Sequence, residues 1–229
     1  MNPVNEVTDL PTIGKVETPK QFSQLGVVVI DGSGSMTEPT ACNITKAQAT
    51  NRAVRELFTR FKASRLKNNF QFAVVTFDHR VQVRLQPTQV GLDLDDNGDY
   101  DPTQGHGGGT RIYAALEEAE RIAAKFLSEA PEGGVPHSVV ILLMSDGLCS
   151  DPARTKQVAE RIKQSSCGSS VVLACAFFGT VGKPDPSGER LLQDIATDPV
   201  KYYKTVYDAE TLRGFFVASM ESASGVRVG

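Results

Sequence analysis

The chain has 229 residues, 40% of them apolar, and a formal net charge of −3, which suits one sizeable α/β core better than two small ones. Its lysines and arginines are interspersed with acidic residues and form no basic run, which excludes an electrostatic footprint for nucleic acid. Apolar runs such as 139–144 are too short to span a bilayer, and 1–24 lacks a basic start followed by an apolar core, so no membrane role and a cytoplasmic location are expected.

Residues 1–24 carry Pro3, Pro11 and Pro19 among polar residues without a sustained period, and read as an N-terminal arm or peripheral strand. A domain is expected over 25–222, interrupted by an acidic insertion loop at 86–109 and followed by a tail at 223–229. The β-branched run 26–30 predicts a central strand buried on both faces. Ile44, Ala47, Val54, Leu57, Phe58 and Phe61 then recur with helical spacing, leaving Lys46, Arg52 and Arg55 on the polar face.

A strand over 70–77 and a shorter one over 81–85 follow, joined by Asp78, His79 and Arg80 as a hairpin turn, which makes the second an antiparallel edge. A helix over 110–127 buries Ile112, Ala115, Leu116, Ala119, Ile122 and Phe126. A strand over 138–144 comes next, then a helix opened by Asp151 and Pro152 and ending near 164. A buried strand over 170–178, a short helix over 189–195, a short strand over 202–206 and a final helix capped by Asp208 and reaching about 220 complete the chain. The alternation predicts an α/β fold: a three-layer, doubly wound, Rossmann-like and mainly parallel sheet, one antiparallel edge strand, and helices on both faces.

In such sheets ligands gather beyond the carboxyl ends of the strands. Three places there carry chemistry: Asp31-Gly32-Ser33-Gly34-Ser35, Gly107-Gly108-Gly109-Thr110, and Ser145-Asp146-Gly147. Singly, each has an ordinary reading as a turn, a helix cap or a tight turn with glycine at positive φ. Together they bring two carboxylates and three hydroxyls to one rim. An all-oxygen set without imidazole or thiolate selects a hard cation, Mg²⁺ (or Mn²⁺), and two formal charges leave room for an incoming carboxylate.

At these residues the chain resembles the von Willebrand factor A domain family, whose metal-ion-dependent adhesion site combines D-x-S-x-S, a Thr and an Asp in three loops. Asp31, Ser33 and Ser35 match the first element, Thr110 the second and Asp146 the third. The resemblance implies that the three hydroxyls ligate the metal directly, that both aspartates act largely through coordinated water, and that a Glu or Asp of a partner protein completes the shell. It also implies that the final helix is the element that moves on binding. The wording around Asp31 is similar to intracellular bacterial members, so an adaptor or regulatory protein is expected, not an enzyme.

Between the expected edge strand and Thr110, Asp93, Asp95, Asn97, Asp99 and Asp101 stand at positions one, three, five, seven and nine of an EF-hand loop, with Gly98 at six. Position twelve is Gln104 and no helices flank the loop, so the alternatives are a Ca²⁺ site or a solvated acidic loop. His79, His106 and His137 are scattered, and only His106 is near the expected rim. It reads as a loop residue rather than a switch. Cys42, Cys149, Cys167 and Cys175 lack zinc spacing and are expected reduced, with Cys149 a bystander near Asp146. Two rival functions remain. An Mg²⁺-dependent aspartate-nucleophile phosphoryl-transfer enzyme would need a second Asp where Ser33 stands, and a structural α/β module would leave the metal loops vestigial.

Overall fold

The computed structural model of the chain describes residues 21–129, 134–147, 149–164 and 170–228. Residues 1–20 of the expected arm, Cys167 and the last residue of the tail lie outside them. Six strands form one sheet: β1 (Ser23–Asp31), β2 (Phe70–Phe77), β3 (Val81–Gln89), β4 (His137–Ser145), β5 (Val171–Phe178) and β6 (Tyr203–Val206). Their order is β3-β2-β1-β4-β5-β6, parallel throughout except for β3 against β2. The expected α/β class and the antiparallel edge are both present.

The helices are α1 (Lys46–Ala63), α2 (Ile112–Ser128), α3 (Pro152–Gln164), α4 (Pro186–Ile195) and α5 (Ala209–Ser224). β1 is buried along its whole length, and its alternate residues serve two cores. Val28 and Ile30 face α1 and α5, while Leu25, Val27 and Val29 face α2, α3 and α4. A strand between two helical layers has no solvent face, which is why it reads as an unbroken β-branched run. Among the described residues no helix is long and apolar enough to cross a membrane.

Boundaries differ from expectation where tertiary partners extend an element. β1 begins at Ser23, whose N–H donates to Pro136 O at 2.9 Å, so two residues assigned to the arm belong to the central strand. β3 runs past Leu85 to Gln89 across Pro87, with register shifts against β2, as an edge strand allows. α1 opens with a capping box between Thr45 and Gln48. Its first residue departs most from the sequence reading: Lys46, expected on the polar face, is 2% exposed.

The chain runs β1, β2, β3 to one side and then returns to place β4 on the other side of β1. The change of direction in strand order therefore falls between β1 and β4, and their carboxyl ends carry Asp31 and Ser145-Asp146.

Candidate metal site

Asp31 ends β1 fully buried. Its Oδ1 accepts from Ser33 N at 2.8 Å, and its Oδ2 accepts from Ser145 Oγ at 2.5 Å. Burial is the largest influence on this carboxyl and pushes it up to about 6, with the Ser145 hydrogen bond pulling against burial and the Asp146 charge adding to it. Gly32 has to be glycine, because a Cβ there would lie 2.1 Å from Pro102 O. The chain then enters a 3₁₀ turn at Gly34–Thr37, anchored by the buried Met36.

The hydroxyls follow in a relay. Ser33 Oγ and Ser35 Oγ are 3.1 Å apart, and Ser35 Oγ donates to Asp146 Oδ1 at 2.7 Å. The other Asp146 oxygen, Oδ2, accepts from Lys46 Nζ at 2.5 Å, and that ammonium also reaches Glu38 Oε2 at 3.4 Å. Gly147 borders the relay, with Ser35 Oγ in ordinary contact range, 3.5 Å, of where a Cβ would stand.

Thr110 arrives on a loop organised by Asp78, at the carboxyl end of β2. Asp78 is fully buried; its Oδ2 accepts from Gly107 N at 3.1 Å and Gly108 N at 3.0 Å, and its Oδ1 from Arg80 N at 2.7 Å. His106 Nδ1 lies 3.0 Å from the same carboxylate, while its Nε2 is 2.9 Å from Thr76 Oγ1. Burial alone would push Asp78 up. The hydrogen bonds from Arg80 N, His106 and Gly108 N outweigh it and hold the carboxyl well below the usual carboxylate range. Gly108 permits this approach, because a Cβ there would meet His79 Nδ1 at 2.0 Å.

The loop touches the serine turn through Gly34 N and Gly108 O at 3.4 Å, and the β4–α3 connection through Ser150 N and Thr110 O at 2.8 Å. Thr110 is 6% exposed, and its hydroxyl has no hydrogen-bond partner among the described residues. Asp31, Ser33, Ser35 and Asp146 are thus joined by hydrogen bonds around one locus, with Thr110 held beside them by backbone contacts. Among the described residues no three His, Cys, Asp or Glu side chains form a metal-holding group. A cation at this locus would rest on two carboxylates and three hydroxyls, a donor set that fits a hard divalent ion keeping some of its waters. Cys149 is buried with its sulfur 3.1 Å from Thr155 Oγ1, and the buried Cys175 thiol is pushed far up by burial; neither joins the set.

The acidic loop is not gathered around one point. Asp95 Oδ1 accepts from Asn97 N at 2.9 Å, and Asn97 Oδ1 from Arg55 Nη2 at 3.2 Å. Asp99 Oδ1 accepts from Asn51 Nδ2 at 3.0 Å, Asp99 Oδ2 from Gln104, and Asp101 Oδ1 from Thr103 N at 2.9 Å. Asp96 pairs with Lys62 at 2.6 Å. Tyr100, 5% exposed, packs edge-on against Phe58 with ring centroids 5.2 Å apart. Asp93 lies in the turn after β3. The loop is a strap docked on α1.

Three contributions escaped the sequence reading. Asp78 does stand in the expected β2–β3 hairpin turn, and its place after a strand parallel to β1 also puts it on the same rim as Asp31. Ser145 belongs to the third expected loop, but its bond to Asp31, 114 residues away, has no local signal. Lys46 gives no local signal, because its partner is 100 residues away.

Residues 27–148, a span that includes all three loops, match the profile of the von Willebrand factor type A domain. Curated proteins give no match. Among solved structures, the SpaC pilus adhesin of Lactobacillus rhamnosus GG superposes with a TM-score of 0.67 at 13% identity, over 88% of this chain and 30% of that one. A von Willebrand factor type A protein from Catenulispora acidiphila gives 0.62 at 21% identity, over 87% and 43%. Proximal thread matrix protein 1 of the mussel byssus, with a zinc-occupied MIDAS motif, gives 0.55 at 18% identity, over 89% and 46%. The chain thus spans less than half the length of each of these three. The strand order, the switch point between β1 and β4 and the matched profile agree: the chain belongs to the von Willebrand factor type A domain family.

Proposed function

We propose that this domain is a metal-dependent protein-interaction module, an intracellular bacterial adaptor or regulator that grips an acidic residue of a partner protein. Ser33, Ser35 and Thr110 would hold Mg²⁺ or Mn²⁺ through their hydroxyls, with Asp31 and Asp146 acting through water. The bound ion supplies an open coordination position for a Glu or Asp carboxylate. The observation that carries the reading is the relay from Ser33 through Ser35 to Asp146, beside the buried Asp31. The zinc in the MIDAS motif of the mussel thread protein supports divalent binding on this fold. Phosphoryl transfer is disfavoured because Ser33 stands where the proton-donating Asp would be needed.

The test is calorimetric titration of Mg²⁺, Mn²⁺ and Ca²⁺ into EDTA-stripped wild type and an Asp31→Ala, Ser33→Ala double variant. Mg²⁺ or Mn²⁺ binding that disappears in the variant is the expected result. Mg²⁺ or Mn²⁺ binding that survives in the variant overturns it. Ca²⁺ binding retained by the variant would instead assign a site to the acidic loop of Asp93, Asp95, Asn97, Asp99 and Asp101.

A further inference from the structure

We propose that Lys46 is a tethered competitor for the metal: its ammonium holds Asp146 when no divalent ion is bound, and the ion must take Asp146 from it. The inference rests on the metal reading above and assigns Lys46 as the residue that sets affinity at that site.

Lys46 is the first residue of α1 and 2% exposed. A cation is disfavoured at a helix N-terminus, where the helix dipole is positive, and α1 has no acidic residue in its first turn to offset it. Compensation comes from outside the helix, from Asp146 Oδ2 at 2.5 Å and Glu38 Oε2 at 3.4 Å. A lysine placed against the dipole and away from water is costly for the fold alone.

With Lys46 in place both Asp146 oxygens are occupied by protein donors, Oδ1 by Ser35 and Oδ2 by the ammonium. The two buried carboxylates then present one net negative charge instead of two, which weakens attraction for a divalent ion. Glu38 gives the ammonium a second carboxylate to move to. Its side chain is 41% exposed and also meets Thr180 Oγ1 at 3.4 Å and Lys183 Nζ at 3.9 Å. Lys46 can leave Asp146 without becoming an unpaired charge.

The experiment titrates Mn²⁺ by calorimetry into EDTA-stripped wild type and Lys46→Met, which keeps the apolar stem and removes the charge. In wild type, amine-directed acylation of Lys46 is followed by mass spectrometry with and without Mn²⁺. Lys46→Met is expected to bind Mn²⁺ at least about fivefold more tightly, and Lys46, slow to acylate in EDTA, to react faster once Mn²⁺ saturates the protein. Binding by the variant alone also supports the proposal, with Lys46 closing the site outright. Equal or weaker binding by the variant, where wild type does bind, overturns the proposal and leaves the metal reading standing. If the variant does not fold, acylation that is unchanged on metal loading overturns it. Failure of both proteins to bind removes the metal reading as well.

Discussion

The Ser35 hydroxyl donates to Asp146 Oδ1 at 2.7 Å, joining two loops separated by 111 residues of chain. A single proton thus ties the turn after β1 to the turn after β4, across the switch in strand order. Replacing Ser35 with Ala frees Asp146 Oδ1 and, on the proposed metal reading, removes a ligand. Mg²⁺ affinity is expected to fall by more than the roughly 10–100-fold typical of an outer-sphere change, with little loss of far-ultraviolet circular dichroism. A calorimetric titration that finds the variant within threefold (about 0.7 kcal/mol) of wild type would falsify the ligand assignment.

Asp31 makes metal-free stability depend on pH in the direction opposite to that of a salt-bridged aspartate. Its folded carboxyl sits at about 6 against an ordinary 3.8, so between these values the folded protein binds more protons than the unfolded one. This contribution to stability is greatest below about pH 4 and falls as pH rises through about 6, by at most about 3 kcal/mol. Urea unfolding in EDTA from pH 4.5 to 7.5 should show wild type losing ground to Asp31→Asn as pH rises. A constant difference between the two proteins would contradict this origin.

Asp78 has the opposite sign. Its carboxyl is held below the usual range by donated hydrogen bonds, so its contribution is present above about pH 4 and is lost as pH falls below that value. Asp78→Ala leaves Gly107 N, Gly108 N and Arg80 N without their acceptor and should cost about 3 kcal/mol or more. Because these donors shape the loop that carries Thr110, metal affinity should drop about 10–100-fold. Chemical denaturation and metal titration of the same preparation separate the two effects, and a stability loss with intact metal affinity would show that the loop does not position Thr110.

Gly32→Ala tests the close approach of the acidic strap to the serine turn. The new Cβ would meet a backbone carbonyl, Pro102 O, at 2.1 Å, so relief requires moving one chain segment or the other. A loss of about 1–3 kcal/mol is expected, with weaker metal binding if the turn is the segment that moves. Thermal unfolding of an alanine variant as stable as wild type would mean that the strap yields freely.

The layered fold and the five oxygen-bearing residues could be read from sequence because both depend on local rules. Strand and helix periods place the elements, and residues that directly follow buried parallel strands fall on one rim. Lys46 could not be read this way. Helical periodicity reports which face of α1 points outward, but nothing in it reports that Asp146 lies above the end of the helix. Asp78 stood at a readable position, yet its hairpin-turn role was sufficient to explain it until β2 was seen beside β1. The docking of the acidic strap on α1 could not be read for a similar reason. The strap's spacing is that of a cation loop, while the groups that meet its side chains come partly from α1, as Arg55, Lys62 and Asn51 do, and partly from the strap itself, as Gln104 does.

Both described ends of the chain lie at the pole away from Asp31. β1 starts there at Ser23, and Val228 is fastened there, its carbonyl accepting from Arg60 near the end of α1 at 3.1 Å and its N–H donating to Glu221 at 2.7 Å. A partner held at the rim and an attachment at Ser23 would pull along the strands in opposite directions. β1 would be loaded in shear, with its hydrogen bonds to β2 and β4 sharing the force at once instead of opening one after another.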